Sequence, residues 1–178
     1  MLLERLSRIL QNEAHAGGLK PTQWEALRYL ARANRFSRSP SALTSYLGMT
    51  KGTVSQTLNA LERKDLIRKQ TDPADRRNLR LDLTEDGAAV LKRDPIAALF
   101  DLPSGLARRE RQQVADGLTA IVQAALRRRG GRPFGVCKTC RFFQANAADG
   151  APHRCGLLKV PLTADDSQRI CIEQEEAA

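Results

Sequence analysis

Aromatic residues and long apolar runs are both scarce in this sequence. Phe, Trp and Tyr make up only 4% of its 178 residues, so a folded core has to be built from Leu, Ile, Val and Ala. No apolar run approaches the roughly 20 residues of a membrane-spanning helix, and the longest, 118–126, is broken by Thr119 and Gln123. The first ten residues include Glu4 and Arg5 and lack a signal-peptide pattern. These absences predict a cytoplasmic protein that does not bind membranes.

Patterns of catalytic residues are missing as well. The sequence has no glycine motif for nucleotide binding and no recognisable pair of a nucleophile and a base. We therefore expect that the protein is not an enzyme.

Acidic residues are too few to balance the basic ones in most of the chain. The net charge is +9 and the isoelectric point lies near 9.9. Residues 1–133 contain 24 Lys and Arg against 14 Asp and Glu, whereas residues 134–178 contain 5 against 6. The basic surface therefore belongs to the first part alone, and it favours a polyanionic partner.

Apolar periodicity predicts four helices before residue 66. The first two carry apolar stripes formed by Leu3, Leu6 and Leu10 and by Trp24, Leu27 and Leu30. Pro21 suits the first turn of the second helix, and Ser39 and Thr50 are predicted to cap the third and the fourth. Gly48 lies in the tight turn between these last two, which is typical of a helix-turn-helix.

The apolar pattern changes to strict alternation after residue 65. LIRKQT and LRLDL predict two strands of a half-buried hairpin, joined by the polar turn DPADRRN. Thr84 is predicted to cap a further helix that Pro95 ends, and Ser104 to open a long last helix. The apolar stripe of that last helix consists of Val114, Leu118, Ile121, Val122 and Ala125.

Three motifs in this region resemble the MarR family of winged helix-turn-helix regulators. LKPTQWEALRYL is similar to the family's second helix, LGMTKGTVSQTLNALERKDLI to its recognition helix and first wing strand, and DPADRRNLRLDLTEDG to its wing. The resemblance extends from residue 1 to about 129. It implies a mainly α fold with a small β-wing, a DNA-binding and dimerisation domain in residues 1–132, and the function of a transcriptional repressor.

The fourth predicted helix has the short polar side chains that the major groove of DNA accepts. Gln56 and Asn59 can bond to base edges, and Lys51 in the first turn suits phosphate. The predicted DNA-contacting residues of this helix are Lys51, Thr53, Ser55, Gln56, Asn59 and Arg63. The resemblance adds Arg76 and Arg77 at the wing tip, for the minor groove. Each side chain taken singly could be merely solvated, but the order of the motifs favours DNA binding.

The apolar stripes of the first and last helices exceed what one small winged domain can bury. Such a surplus predicts a homodimer, as in the family that the chain resembles. A two-fold dimer reads two half-sites about one helical turn apart, so we expect a pseudopalindromic operator on double-stranded DNA.

All four cysteines lie in the last 45 residues, with the spacing Cys137-x2-Cys140-x14-Cys155-x15-Cys171. In a reducing cytoplasm such a cluster is expected to bind metal rather than to form disulfides. A CxxC pair presents two sulfurs from one loop, and two further thiolates complete four ligands. Residues 133–178 are therefore predicted to form a small metal-binding segment that uses all four cysteines.

The identity of the metal is open between iron–sulfur and zinc. CKTCRFF and CGLL resemble the high-potential iron–sulfur proteins, although Arg169 and Ile170 stand where that family has Gly-Trp. This resemblance implies one [4Fe–4S] cluster, and a structural Zn²⁺ is the alternative. The expected apolar shell is Phe142, Phe143, Leu157, Leu158, Val160, Leu162, Ile170 and Ile172. His153 could replace one cysteine as a ligand.

Together these patterns predict a DNA-binding regulator whose cysteine segment senses redox state, iron or oxidants. Loss of the cluster would change how the segment packs and so shift the two DNA-reading heads. One alternative is a repressor with a structural zinc site that responds to a small aromatic ligand bound between the winged and dimer regions. A second alternative is an electron-transfer protein built on a winged scaffold.

Overall fold

The computed structural model describes residues 1–14, 18–71, 79–147 and 150–176. Four helices come first, in the predicted order: α1 Leu2–Ala14, α2 Pro21–Arg32, α3 Pro40–Leu47 and α4 Lys51–Arg63. Strands β1 Ile67–Thr71 and β2 Leu79–Leu83 pair antiparallel and form the wing. The winged domain continues with helices α5 Glu85–Leu91, α6 Ala97–Asp101 and α7 Arg108–Arg128. The prediction of a mainly helical fold with a small β-wing is confirmed.

The helix caps follow the local sequence. Ser39 Oγ accepts a hydrogen bond from the Ala42 N–H at 3.2 Å, which satisfies an unpaired donor at the start of α3. Thr50 Oγ1 does the same for α4, again at 3.2 Å. Gly48 ends α3 in the left-handed conformation, with φ of 63°. The predicted helix-turn-helix geometry is therefore present.

The start of the last helix was predicted wrongly. Ser104 lies in a 3₁₀ turn, Leu102–Gly105, and α7 begins only at Arg108. The Leu106 N–H bonds back to the Pro103 carbonyl at 3.1 Å, which closes the turn. The N-terminus of α7 is instead capped by Glu110, whose carboxylate accepts from the Ala107 N–H at 2.9 Å.

The core of the winged domain lies where α2, α3, α4 and the wing meet. Trp24, Leu27 and Leu30 share the buried face of α2, as predicted. In β2, Leu81 is fully buried but Leu79 is 44% exposed. The alternation predicted for this strand therefore holds only at its inner end.

Helix α5 packs closely on the junction between α4 and β1. A Cβ at position 87 would collide with the carbonyl oxygen of Leu66, so only Gly87 allows this approach. Thr84 Oγ1 accepts from the Gly87 N–H at 3.0 Å and donates to the Asp65 carbonyl at 2.5 Å. The T-x-x-G sequence thus both caps α5 and makes its packing possible.

Residues 134–176 form a small unit of short strands and turns, here called the cysteine unit. Strands β3 Gly135–Val136 and β7 Ile170–Cys171 pair with each other, while β4 Phe143–Ala145, β5 His153–Cys155 and β6 Val160–Leu162 form a three-stranded sheet. A 3₁₀ turn at Cys137–Thr139 and helix α8 Ala164–Ser167 complete the unit. Its buried hydrophobic cluster consists of Cys137, Leu162 and Cys171.

The predicted apolar shell of this unit was wrong in part. Leu162 is buried and Phe143 packs beside it, but Leu157 and Leu158 are 42% and 38% exposed. Ile170 and Ile172 pack against the core of the winged domain rather than around the cysteines. The unit is too small to use all its apolar side chains internally, so some of them attach it to the larger domain.

The cysteine unit is docked on the segment between α2 and α3, residues 33–38, here called the connector. The Asn34 N–H donates to the Ile170 carbonyl at 2.9 Å, and Ser37 Oγ accepts from the Ile172 N–H at 2.9 Å. Arg35 forms an ion pair with the buried Asp166 at 2.9 Å. Backbone and charge interactions thus hold the two parts together.

The helices at the ends of the winged domain expose apolar side chains. Exposed residues include Leu3, Leu6 and Ile9 of α1 and Val114, Leu118, Ile121 and Val122 of α7. These are the stripes that the sequence assigns to a dimer interface. In the described ranges no helix is both long and apolar enough to span a bilayer.

Candidate DNA interface and cysteine site

The residues predicted to contact DNA on α4 are all exposed in the structure. Lys51, Thr53, Ser55, Gln56, Asn59 and Arg63 lie outside the core, opposite the buried Val54, Leu58 and Leu61. The Thr53 hydroxyl lies 2.9 Å from that of the cap residue Thr50. The arrangement leaves a polar helix face free for a groove of DNA. The structure thus brings these six predicted residues together on one surface.

The wing supplies a residue that the sequence reading missed. Lys69 Nζ on β1 donates to Asn59 Oδ1 at 2.5 Å and to Glu62 Oε2 at 2.8 Å. Because Lys69 occupies the carbonyl oxygen of Asn59, the amide N–H₂ of Asn59 remains available as a donor. Lys69 lies on the same face of β1 as the buried Ile67, which is two residues before it. On that inward side its ammonium group contacts Asn59 and Glu62 of α4.

The wing tip lies outside the described residues, and with it Arg76 and Arg77. Within β2, the Asp82 carboxylate forms ion pairs with Arg38 at 3.2 Å and with Arg80 at 2.7 Å. Asp82 thus has two arginine partners in the described part of the chain.

All four cysteines are free thiols, so none forms a disulfide. Cys137 and Cys171 are buried, and Cys140 and Cys155 are partly exposed. Backbone donors point at the two more exposed sulfurs: the Leu158 N–H lies 3.4 Å from Cys155 Sγ, and the Glu175 N–H lies 3.5 Å from Cys140 Sγ. Hydrogen bonds of this kind stabilise thiolate sulfur, as in metal–thiolate and iron–sulfur sites.

The thiols also interact electrostatically. Burial raises the pKa of Cys137 to about 12, and negative charge on Cys171, Cys155 and Cys140 adds to the rise. Each thiolate therefore opposes the ionisation of Cys137, so without a cation that thiol stays protonated at neutral pH. A bound cation reverses this preference, because it stabilises the thiolates together.

The side chains of this unit do not, as they lie, form a closed metal site. Throughout the residues that the structure describes, no group of three or more His, Cys, Asp or Glu side chains is placed to hold a metal ion. The chemistry of the donors fits a thiolate-bound metal, whereas their arrangement does not complete its coordination. The His153 ring packs against the Phe143 ring, with centroids 4.8 Å apart and ring planes tilted by 50°.

A cavity of about 530 Å³ opens between α2, α6 and α7. Tyr29, Tyr46 and Phe134 form its aromatic wall, with the rings of Tyr46 and Phe134 5.1 Å apart and edge to face. Arg32 and Arg132 also line the cavity. It lies between the winged core and the helix assigned to dimerisation.

Helix-turn-helix, antiparallel wing and flanking helices together define the winged helix-turn-helix class. Residues 17–78 match the family model described as MarR family. The described part of this region therefore has the winged helix-turn-helix fold, and residues 17–78 are similar to the MarR family, as the sequence motifs predicted.

Solved structures show the same fold. The chain is similar to Staphylococcus aureus MepR in a complex with DNA, at 25% identity over 69% of this chain and 95% of that one, with a TM-score of 0.55. It is similar to a MarR transcriptional regulator from Methanosarcina mazei Go1, at 24% identity over 71% and 92%, with a TM-score of 0.56. It is also similar to Streptococcus pneumoniae FabT in complex with DNA, at 24% identity over 70% and 92%, with a TM-score of 0.54.

Proposed function

We propose that this protein is a sequence-specific DNA-binding transcriptional regulator that acts as a homodimer and needs no enzyme activity. The observation that carries the proposal is the exposed polar face of α4 within a segment that matches the MarR family. S. aureus MepR and S. pneumoniae FabT, which share the fold, are both described in complexes with DNA. The excess of Lys and Arg in residues 1–133 supplies attraction for the phosphate backbone.

DNA recognition follows from the chemistry of the exposed side chains. The amino terminus of α4 and Lys51 favour a phosphate, which fixes the position of the helix on the duplex. Gln56 and Asn59 face the bases, and Lys69 presents the Asn59 amide as a donor. A donor of that kind suits the acceptors of guanine or thymine in the major groove. Arg76 and Arg77 extend the contact to the minor groove.

Dimerisation buries the exposed apolar faces of α1 and α7. Two copies then present two α4 helices to successive major grooves, which requires a pseudopalindromic operator. We infer that the dimer represses transcription when it binds at a promoter.

Operator selection from random duplexes tests this function, followed by footprinting. We expect two inverted half-sites about one helical turn apart. Gln56→Ala should cost about 1–3 kcal/mol of specific binding free energy. Gln112→Ala on α7 is the matched control, since Gln112 is an exposed glutamine that bonds Asp116 away from α4. A footprint with one half-site, or equal losses for both variants, contradicts the proposal.

We further propose that Cys137, Cys140, Cys155 and Cys171 bind one metal centre as thiolates, a [4Fe–4S] cluster in first place and Zn²⁺ as the alternative. The support is chemical: four free thiols in one small unit, with N–H donors directed at sulfur. A bound cluster supplies reversible one-electron chemistry and sensitivity to oxidants, whereas zinc supplies only a cross-link. The cysteine unit would thereby sense redox state or iron for the DNA-binding domain.

Anaerobic purification with iron, sulfide and zinc assays tests the metal. Visible absorption with iron and acid-labile sulfide supports the cluster, and a colourless protein with one zinc per chain supports the alternative.

Changing all four cysteines to serine should alter operator affinity under reductant or air. Unchanged affinity in both conditions rules out a sensor.

The cavity beside α7 supports a second candidate for the signal, a small aromatic ligand. Its aromatic wall and its arginines suit an aromatic acid. Titration of the operator complex with salicylate tests this: release of DNA by salicylate in a cysteine-free variant favours the aromatic ligand over the cysteine unit.

A further inference from the structure

A recess opens beside the polar face of α4, between α3, α4 and the outer end of the wing. Its volume is about 500 Å³. Core leucine and valine side chains of α4 line it together with an exposed leucine of the wing and three of the predicted DNA contacts: Val54, Leu58, Leu79, Lys51, Ser55 and Asn59. The recess is therefore part of the candidate DNA interface, and much of its lining is apolar.

Leu79 is exposed although it lies on the inner face of the wing. It is two residues from the fully buried Leu81 in β2, so the two side chains share one face. Lys69 is the β1 partner of Leu81, and its ammonium group reaches α4 from that same face. Leu79 is nevertheless 44% exposed. It thus leaves apolar surface next to the polar side chains of α4.

Two polar side chains that line the recess already have partners inside the protein. Thr44 Oγ1 donates to the Pro40 carbonyl at 2.7 Å. Lys69 Nζ donates to Asn59 Oδ1 at 2.5 Å and to Glu62 Oε2 at 2.8 Å. Because the Asn59 carbonyl oxygen accepts from Lys69, the Asn59 amide offers its N–H₂ group to a ligand. The recess therefore combines a hydrogen-bond donor with an apolar surface.

Thymine has the base edge that fits this combination. In the major groove it presents the O4 acceptor and, beside it, the apolar C5 methyl group. Guanine presents acceptors without a methyl group, while adenine and cytosine each present an amino group that cannot accept from the Asn59 amide. An apolar neighbour of the donor therefore favours thymine over guanine.

We propose that Asn59 and Leu79 together select a thymine in each half-site of the operator. The Asn59 N–H₂ donates to thymine O4, and Leu79 contacts the C5 methyl group. Lys69 is a positioning residue, since it acts on the base only through Asn59. This inference rests on the proposed DNA-binding function, and it adds a base preference and a reading residue outside α4.

Uracil substitution in the selected operator tests the proposal, because uracil lacks only the methyl group of thymine. Affinity is measured by fluorescence anisotropy on duplexes in which symmetry-related thymines are replaced one pair at a time. We expect one pair at which uracil weakens binding by about fourfold per half-site, the effect of one methyl-sized group leaving an apolar contact. The other thymines should be insensitive to the replacement.

Three variants assign the effect to residues. Leu79→Ala should bind the thymine and uracil operators equally. Leu157→Ala is the matched control, because Leu157 is a leucine of similar exposure, 42%, in the cysteine unit, and it should keep the preference for thymine. Lys69→Met keeps the aliphatic stem but releases the Asn59 carbonyl oxygen, so the amide can also accept. That variant should tolerate adenine or cytosine at the thymine position.

The outcomes separate this inference from the proposed function. If the unchanged protein selects no operator, the proposed function fails and the base preference fails with it. Specific binding without any methyl-sensitive thymine overturns the base preference alone. A preference for thymine over uracil that persists in Leu79→Ala contradicts the role of Leu79, and an unaltered base preference in Lys69→Met contradicts the positioning role of Lys69.

Discussion

Among the described residues, the winged domain buries fifteen residues around Trp24 and Leu27 in one hydrophobic cluster, whereas the cluster of the cysteine unit has only Cys137, Leu162 and Cys171. A core of the first size can support an independent fold, and one of the second size cannot. The cysteine unit therefore depends on two further sources of stability, its docking on the connector and a cross-link through sulfur. This contrast yields predictions of decreasing size.

The largest expected difference lies between two leucines buried to a similar degree. Leu27→Ala should cost about 2–5 kcal/mol of the free energy of unfolding of the whole domain, because it opens a cavity in the large core. Leu162→Ala should instead loosen the cysteine unit and speed its proteolysis. Urea unfolding followed by circular dichroism, together with limited proteolysis, measures both. Equal losses in one shared unfolding transition would show that the two parts fold as one unit.

Docking of the cysteine unit depends on Arg35. Arg35→Ala leaves the buried Asp166 without its ion-pair partner and removes a hydrogen bond to the Pro161 carbonyl. Because Arg35 itself is 41% exposed, we expect a loss of about 1–2 kcal/mol rather than the full cost of a buried charge. Hydrogen exchange at β7 should increase while exchange in α2 stays slow. Protection of β7 in the variant would contradict the role of this pair.

The raised pKa of Cys137 makes the metal-free protein sensitive to alkaline pH. A thiol whose pKa rises on folding from 9.0 to about 12 contributes stability that is present below pH 9 and is lost as pH rises towards 12. Between pH 8 and 10 the loss should be about 1 kcal/mol. Cys137→Ala should flatten that part of the pH profile, and an unchanged slope would refute the assignment.

The smallest effect is expected for the exposed contact between Arg132 and Glu173. Its atoms lie 3.3 Å apart, and both side chains are largely solvated, at 60% and 41%. Arg132→Ala should change the free energy of unfolding by no more than about 0.5 kcal/mol, with further reduction in high salt. A larger loss in thermal unfolding would mean that this arginine contributes to docking.

The winged domain could be predicted from the sequence because its signals are local. Ser39, Thr50 and Thr84 act within three residues of themselves, and the α2 stripe repeats with the helical period. Ser104 was misassigned because a serine suits a 3₁₀ turn after Pro103 as well as a helix cap. Local patterns could not decide between the two.

The cysteine unit was predictable in its chemistry but not in its contacts. Spacing identified four cysteines that remain free in one unit, yet the bond from Ile172 to Ser37 joins residues 135 positions apart. No periodicity links such positions. The backbone hydrogen bond from Asn34 to Ile170 was missed for the same reason.

Phe134, Ile170 and Ile172 pack into the larger core although they belong to the cysteine unit. A chain shortened after Arg132 would lose both isoleucines and the Phe134 ring, which lies edge-on to Tyr46. The apolar surface that these side chains cover beside α2 would then be exposed to solvent. Such a fragment should therefore aggregate or fold poorly, even though its helix-turn-helix sequence is intact. Fragments for expression and gene fusions should therefore not end at residues 132–133, although the charge and cysteine composition of the sequence change there.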